Sequence, residues 1–296
     1  MPTLQSLALK LMNTFRCRCL HLGQWLLTHL AYQLSHCQWP WLKNRLIVFF
    51  LSHWTPNLKE AQETNPFAYR SFNAFFTRAL NPHARILQTE PSALLAPADG
   101  QLTQFHTIES GQLIQAKGHT YTVEALLGST ERAQAFQTGI TSTIYLAPTD
   151  YHCVHMPLAG TLKSMTHIPG MFYSVNTDSA AEQPDLFAKN ERLICHFDTP
   201  YGDLVLVMVG ALLVSSIETT WHGLIRARGF GAIQHFTYEA SQAPSFKQGD
   251  RMGWFHFGST VITLFNPQQP VELNALNLPS TVQYGSVLTQ IQSGQS

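Results

Sequence analysis

The 296-residue chain carries 18 Lys and Arg against 18 Asp and Glu, a formal net charge of zero, and 45% of it is hydrophobic. This composition excludes a polycationic nucleic-acid binder and a largely disordered chain, and the length suffices for one large domain or two unequal ones. Five scattered cysteines, Cys17, Cys19, Cys37, Cys153 and Cys195, contain no CxxC pair, which argues against a disulfide framework and fits a reducing compartment.

The charge is unevenly placed. Residues 1–59 hold Lys10, Arg16, Arg18, Lys43, Arg45 and Lys59 and no acid, the first being Glu60. Leu4, Leu7, Leu11 and Phe15 are spaced for one helical face, and Leu22, Trp25, Leu26, Leu30, Leu34, Trp39 and Trp41 lead into an apolar run from Leu46 to Leu51. Pro40 and polar residues break every run short of the roughly 18 apolar residues that a membrane span needs. His21, Gln24, His29 and Gln33 spoil the stretch after Arg18 as a signal-peptide core. Two readings remain: a helical pair packed on the main domain, or helices lying in the interface of an anionic bilayer. Each surface cation contributes roughly 1 kcal/mol in the second case. Tryptophans beside unopposed cations favour it, as a peripheral attachment to the cytoplasmic face of the cell membrane.

TNPFAYRSFNAFFTRAL, Thr64 to Leu80, predicts a helix with Phe72, Phe75, Phe76 and Leu80 on its apolar face, closed by Asn81-Pro82. From about Ile86 the texture changes to short segments rich in Val, Ile, Thr and aromatics, separated by Gly, Pro, Asp and Asn: QLTQFHTI, TSTIYLAP, LICHFDT, DLVLVMVGALLVSSI, TVITLF and PVEL. One helix interrupts them at Thr122–Ser129. The expected class is α+β, with a helical, basic, membrane-associating region over residues 1–88 and a β-rich antiparallel body, sandwich or barrel-like, over 89–296.

Three stretches of the body could carry chemistry. Asp99 lies in the turn APADG. His152 and His155 lie with Asp150 in YLAPTDYHCVHMPLAG, between Pro148 and Pro157. Gly258 and Ser259 interrupt the apolar WFHFGSTVITLF, where strand chemistry wants a β-branched residue. The His pair would suggest a metal, but the prolines disfavour a helix, positions three apart on a strand face opposite ways, and no HExxH or Cys pair follows; no metal is expected. Ser259 could be a hydrolase nucleophile served by His155 and Asp99, although it lacks the Gly-x-Ser-x-Gly elbow. A Ser after Gly inside a strand has another use, because its hydroxyl can attack the carbonyl before it, and Gly hinders that attack least. A third reading makes all three stretches core residues of a non-catalytic membrane-surface scaffold. The residues alone leave these open.

Taken together, SFNAFFTRAL, APADG, QAKGHTYTVEALL, YLAPTDYHCVHMPLAG, FYSVN, LFAKNERLICHFDT, VGALLVSSIETTW and MGWFHFGSTVITLF resemble the phosphatidylserine decarboxylase family of pyruvoyl enzymes, in its bacterial proenzyme form. They run in the family's order and cover most of residues 64–267. Phe257-Gly258-Ser259-Thr260 matches the family's Leu-Gly-Ser-Thr self-cleavage motif, with Phe for Leu a mild departure. Residues 1–59 resemble the family in character more than in sequence, and the tail after Pro267 only weakly.

The resemblance implies a precursor that cuts itself between Gly258 and Ser259 into a long chain, 1–258, and a short chain, 259–296, which stay together as a heterodimer; it also admits a homodimer of that pair. Asp99 would orient His155, which would take the Ser259 hydroxyl proton. Ser259 would become a covalent pyruvoyl group and Schiff-base centre, with no metal and no pyridoxal phosphate, and His152 would return a proton after carbon dioxide leaves. The substrate would be phosphatidylserine in an anionic membrane, the product phosphatidylethanolamine, and Phe172 to Asn176 part of the mouth. No nucleic-acid partner is implied.

Overall fold

A computed structural model describes residues 21–85, 87, 90–116, 118–211, 216–226, 231–239, 241–256, 259–273 and 276–292, the side chain of Glu272 excepted. Gly258, Phe257, Cys17, Cys19 and the Leu4–Phe15 helical face therefore lie outside the described residues.

The Val-, Ile- and Thr-rich segments form antiparallel strands. The longest sheet has nine, in the spatial order Gln234–Thr237, Gly160–Ile168, Arg192–Thr199, Gly202–Val209, Ser259–Pro267, Gly139–Leu146, Gly100–Ile108 and Ser280–Val282, with Ser245–Phe246 also pairing with Gly160–Ile168. The sheet is open: among the described residues its ends do not meet, so the barrel-like alternative expected from strand number is not what forms. A four-stranded sheet runs Gly223–Arg226, Ser216–Thr219, Arg251–Phe255, Cys153–His155, and a three-stranded one joins Ala93–Leu95, Val287–Ile291 and Val271–Glu272.

Ser259–Pro267 is the strand on which the core is built. Residues Ser259 to Phe265 are buried without alternation, as expected for a strand covered on both faces. Seven of its residues pair with Gly139–Leu146 and eight with Gly202–Val209. At its far end the neighbours approach through glycine: a Cβ on Gly202, at φ +137°, would lie 2.1 Å from the Asn266 carbonyl oxygen. Val261, Ile262, Leu264 and Phe265 belong to one apolar cluster with Leu204, Val207, Ile140 and Ile144.

The helices depart from expectation in two places. The helix expected over Thr64–Leu80 is instead a 3-10 turn, Pro66–Ala68, and a separate helix Phe72–Phe76. The reason is local: Asn65 accepts from Phe67 N–H, and Ser71, in extended conformation, accepts from Ala74 N–H. Each starts its own turn, so the chain between them stays extended. The helix expected at Thr122–Ser129 forms at Val123–Leu127, capped by the Thr122 side chain and closed by Gly128 at φ +62°.

The N-terminal helix α1, residues 21–36, is amphipathic in reverse. Thr28 and Ser35 are buried, whereas Leu22, Leu26, Leu27, Leu30 and Leu34 are exposed. Helix α2, Pro40–His53, repeats the inversion: Lys43 is buried and donates to the Phe67 and Tyr69 carbonyls, while Val48 and Phe49 face out, with Trp39 and Trp41 at its start. Ile47 and Phe50 anchor α2 on Phe72, Phe75 and Phe76. No helix among the described residues is long and apolar enough to cross a membrane.

Because Phe265 packs in the strand shared by both halves of the sheet, Phe265→Ala is expected to destabilise by about 3–5 kcal/mol. Urea unfolding checks this, with the exposed Gln268→Ala changing stability by no more than about 0.5 kcal/mol.

Candidate active site

The three stretches singled out in the sequence converge. The APADG turn meets the His strand where Pro97 O accepts from His155 N–H at 2.8 Å. Cys153–His155 pairs with Arg251–Phe255, the strand running toward Ser259, and His152 O accepts from Phe255 N–H at 3.1 Å. The incoming chain is pinned up to His256. That residue's N–H donates to Ser216 O, and its ring nitrogens lie 3.0 Å from Asn73 Oδ1 and Glu218 Oε2.

Ser259 opens the central strand opposite Leu146 and is 0% exposed. Its Oγ is buried without a hydrogen-bond partner. A buried hydroxyl left unbonded costs about 1–3 kcal/mol, and Thr260 and Thr263 on the same strand and Ser142 on its neighbour share that state; Ser259 is the one that follows a glycine.

His155 is held on three sides. Its Nδ1 lies 2.8 Å from Gly249 O; a carbonyl only accepts, so Nδ1 carries the proton and Nε2 the lone pair. Tyr151 donates its hydroxyl to that lone pair at 3.1 Å, and the Tyr284 ring stacks on the imidazole, centroids 3.9 Å apart and planes 15° from parallel. His152 is oriented by the same logic: Nδ1 donates to Asp150 O at 2.9 Å, its ring packs on Phe76, and Nε2 is left buried and unpartnered. Burial lowers His152 to about 3 and His155 to about 4, both from 6.5, so both imidazoles are neutral near pH 7.

Asp99 does not supply the hydrogen bond expected at His155 Nδ1, which Gly249 O occupies. Its Oδ2 pairs with Arg85 Nη2 at 2.6 Å and its Oδ1 accepts from Tyr284 N–H at 2.8 Å. Arg85 also binds Glu60 at 2.8 Å. Burial pushes the Asp99 carboxyl above the usual carboxylate range, with the Tyr284 N–H and Arg85 pulling the other way. Among the described residues, no group of three or more His, Cys, Asp or Glu side chains could hold a metal.

Sequence reasoning missed Gly249, Arg85, Tyr284 and the Asn73–His256–Glu218 bridge. Tyr151 stands inside a stretch it did quote, beside His152. Asn73, Glu218 and His256 also stand inside quoted stretches, whereas Gly249, Arg85 and Tyr284 come from segments with no periodic signal of their own.

Comparison with known proteins decides the family. Residues 72–290 match the family model described as Phosphatidylserine decarboxylase, and residues 24–54 match one described as PSD. The chain belongs to the phosphatidylserine decarboxylase family. It is 46% identical to a protein of Stutzerimonas stutzeri over 90% of each chain, and 47% identical to one of Bordetella pertussis over 86% of each. It is 48% identical to one of Azotobacter vinelandii over 82% of this chain and 88% of the relative. All three carry the name Phosphatidylserine decarboxylase proenzyme. The second match takes in most of α1, from residue 24, and all of α2.

The neutral histidines set a pH dependence. A folded-state value below the unfolded 6.5 means the unfolded chain takes up a proton first, so stability is full above 6.5 and lost as pH falls toward 4. The loss is about 1.4 kcal/mol per pH unit for each histidine. Urea titrations between pH 6.5 and 4 are expected to show a shallower loss in His155→Gln than in the native chain.

Proposed function

We propose that this chain decarboxylates phosphatidylserine to phosphatidylethanolamine and carbon dioxide, using a pyruvoyl group that it makes from its own Ser259. The observation that carries the reading is the Ser259 hydroxyl, fully buried and unpartnered at the start of the central strand. A serine hydrolase needs its nucleophile open to substrate and water. A hydroxyl enclosed in a sheet has chiefly its own backbone to react with, and the residue before it is Gly258.

In the precursor, His155 Nε2 exchanges the Tyr151 hydroxyl for that of Ser259 and takes its proton. The Ser259 oxygen forms a bond to the Gly258 carbonyl carbon, the Gly258–Ser259 C–N bond breaks, and an ester links the two residues. Elimination leaves a carboxylate on Gly258, and hydrolysis of the dehydroalanine releases ammonia. The products are residues 1–258 and 259–296. Asp99 supports this from the neighbouring turn, fixed by Arg85 and by the Tyr284 N–H.

The surroundings fit the group. The residue that would become the pyruvoyl is fully buried opposite Leu146, and His152 offers an unpartnered, oriented Nε2 in the strand-bearing segment next to it. The pyruvoyl supplies an electron sink for the leaving carboxylate, which no side chain can. His152 is neutral at rest, so it acts as the acid only after collecting a proton at Nε2, and it then returns that proton to the substrate carbon.

The inverted helices support a peripheral membrane attachment. Leu22, Leu26, Leu30, Trp39, Trp41 and Phe49 point away from the body, where water disfavours them and a bilayer interface does not. The inner face of α1 meets the loop before the FYSVN stretch, with His21 at Gly170 O and Gln24 at Phe172 N–H. A helix lying on lipid would therefore border the mouth assigned to Phe172–Asn176, so the lipid need not leave the bilayer. The region 1–88 serves attachment, and 89–296 the chemistry.

Denaturing mass spectrometry of the purified protein is expected to show two fragments, the smaller resistant to Edman sequencing. Ser259→Ala stays whole and inactive. His155→Ala slows cutting by about 10²–10⁴-fold, whereas His152→Ala still cuts and loses turnover by a similar factor. An intact, active native chain would overturn the reading. Replacing Trp39 and Trp41 together by Ala should weaken sedimentation with anionic vesicles about tenfold or more, without preventing cutting.

A further inference from the structure

Tyr284 joins the two groups that share no hydrogen bond. Its backbone N–H donates to Asp99 Oδ1 at 2.8 Å, and its ring lies flat on His155 at 3.9 Å. The same ring lies 5.6 Å from that of Tyr151, which donates to His155 Nε2, and the Arg85 guanidinium carbon lies over it, 5.9 Å from its centroid. The segment is delivered there by pairing. Ser280–Val282 adds to the edge of Gly100–Ile108, with Val282 opposite Gly100, the residue after Asp99. Gly285, at φ +84°, then turns the chain and donates to Ala96 O at 3.0 Å, in the same APADG region.

We propose that Tyr284 is a positioning residue for self-cleavage, fixing the plane of the His155 ring while its backbone holds Asp99. Two hydrogen bonds in the plane of an imidazole leave rotation about the axis between them open; a flat ring stacked on its face removes that freedom. A smaller side chain without a π face covers only part of the imidazole and does not set its plane. The proposal rests on the reading of His155 as the base for Ser259. On that reading Tyr284 belongs to the short chain, so the fragment carrying the reactive residue also carries the ring that aligns the base.

The ring also shields the imidazole. The other titratable or charged groups around it are Tyr151 and Cys153 on its own segment, Asp250 and Arg251 on the adjoining strand and turn, and Asp99, Arg85 and Glu60 behind Tyr284. Opening the stacked face to water lets His155 rise from about 4 toward its ordinary 6.5. Since the base works only when neutral, the acid limb of the cleavage rate then moves to higher pH.

Two measurements test this. In the full chain, cutting is followed by denaturing gel in Tyr284→Leu and Tyr284→Phe, with thermal melting recorded alongside. Leu is expected to slow cutting by about three- to tenfold, the scale of one aromatic pair, and Phe to recover most of the rate. In the uncuttable Ser259→Ala chain, the His155 resonance is titrated by NMR: near pH 4 with Tyr or Phe at 284, higher with Leu. Cutting at the native rate with an unchanged titration in Tyr284→Leu would overturn the proposal. If the native chain fails to cut at all, the cleavage reading falls, and the titration still decides whether Tyr284 governs the His155 environment.

Discussion

A hydroxyl enclosed without a partner is the constraint on which this structure turns. Ser259 Oγ has no hydrogen-bond partner among the described residues, and the fold tolerates that cost at the head of its best-paired strand. The surrounding bonds serve to keep the strand and the chain entering it in place: Phe255 on His152 O, and His256 between Asn73 and Glu218. A loose serine would find water or a neighbouring carbonyl and satisfy itself. Rigidity keeps it available.

The two histidines show how one short segment can hold different roles. Both give Nδ1 to a carbonyl and present Nε2 as a lone pair, and burial keeps both neutral. The difference lies at Nε2. His155 has Tyr151 there, whereas His152 has no partner among the described residues. In the proposed reading the Tyr151 hydroxyl gives way to that of Ser259 for the first proton transfer, and the empty site serves a proton collected later. The polar contacts that orient these rings are mostly backbone carbonyls, whose positions depend on strand register and not on side-chain identity.

Much of this was legible in the sequence, for identifiable reasons. Short β-branched runs became strands at nearly the expected positions, because in a sheet covered on both faces local pattern and tertiary demand agree. Ser259, read as lying inside one strand, instead opens Ser259–Pro267 apart from Arg251–Phe255, whereas Thr122 and Gly128 stand at the two ends of a helix close to where one was expected. The rest depended on distance in the chain. Nothing in PHARI marks Arg85 as the partner of Asp99, and nothing in VQYGS marks Tyr284 as a stacking ring; the pairing of Ser280–Val282 with Gly100–Leu102 is what brings that ring in. Composition alone left open whether the apolar residues of α1 pack on the body or face outward, since a run of leucines and tryptophans carries no label for its inner side.

The double pairing of Ser259–Pro267 has one more consequence. Every residue from Thr260 to Phe265 stands opposite a partner on both flanks, in strands that precede it in the chain. Once the covalent link before Ser259 is gone, melting this sheet would set two molecules adrift in place of one, and reassembly would depend on their concentration. Thermal scans of the matured protein would then report a lifetime and not an equilibrium. Folding would be a thing this polypeptide does once, before it acquires its chemistry.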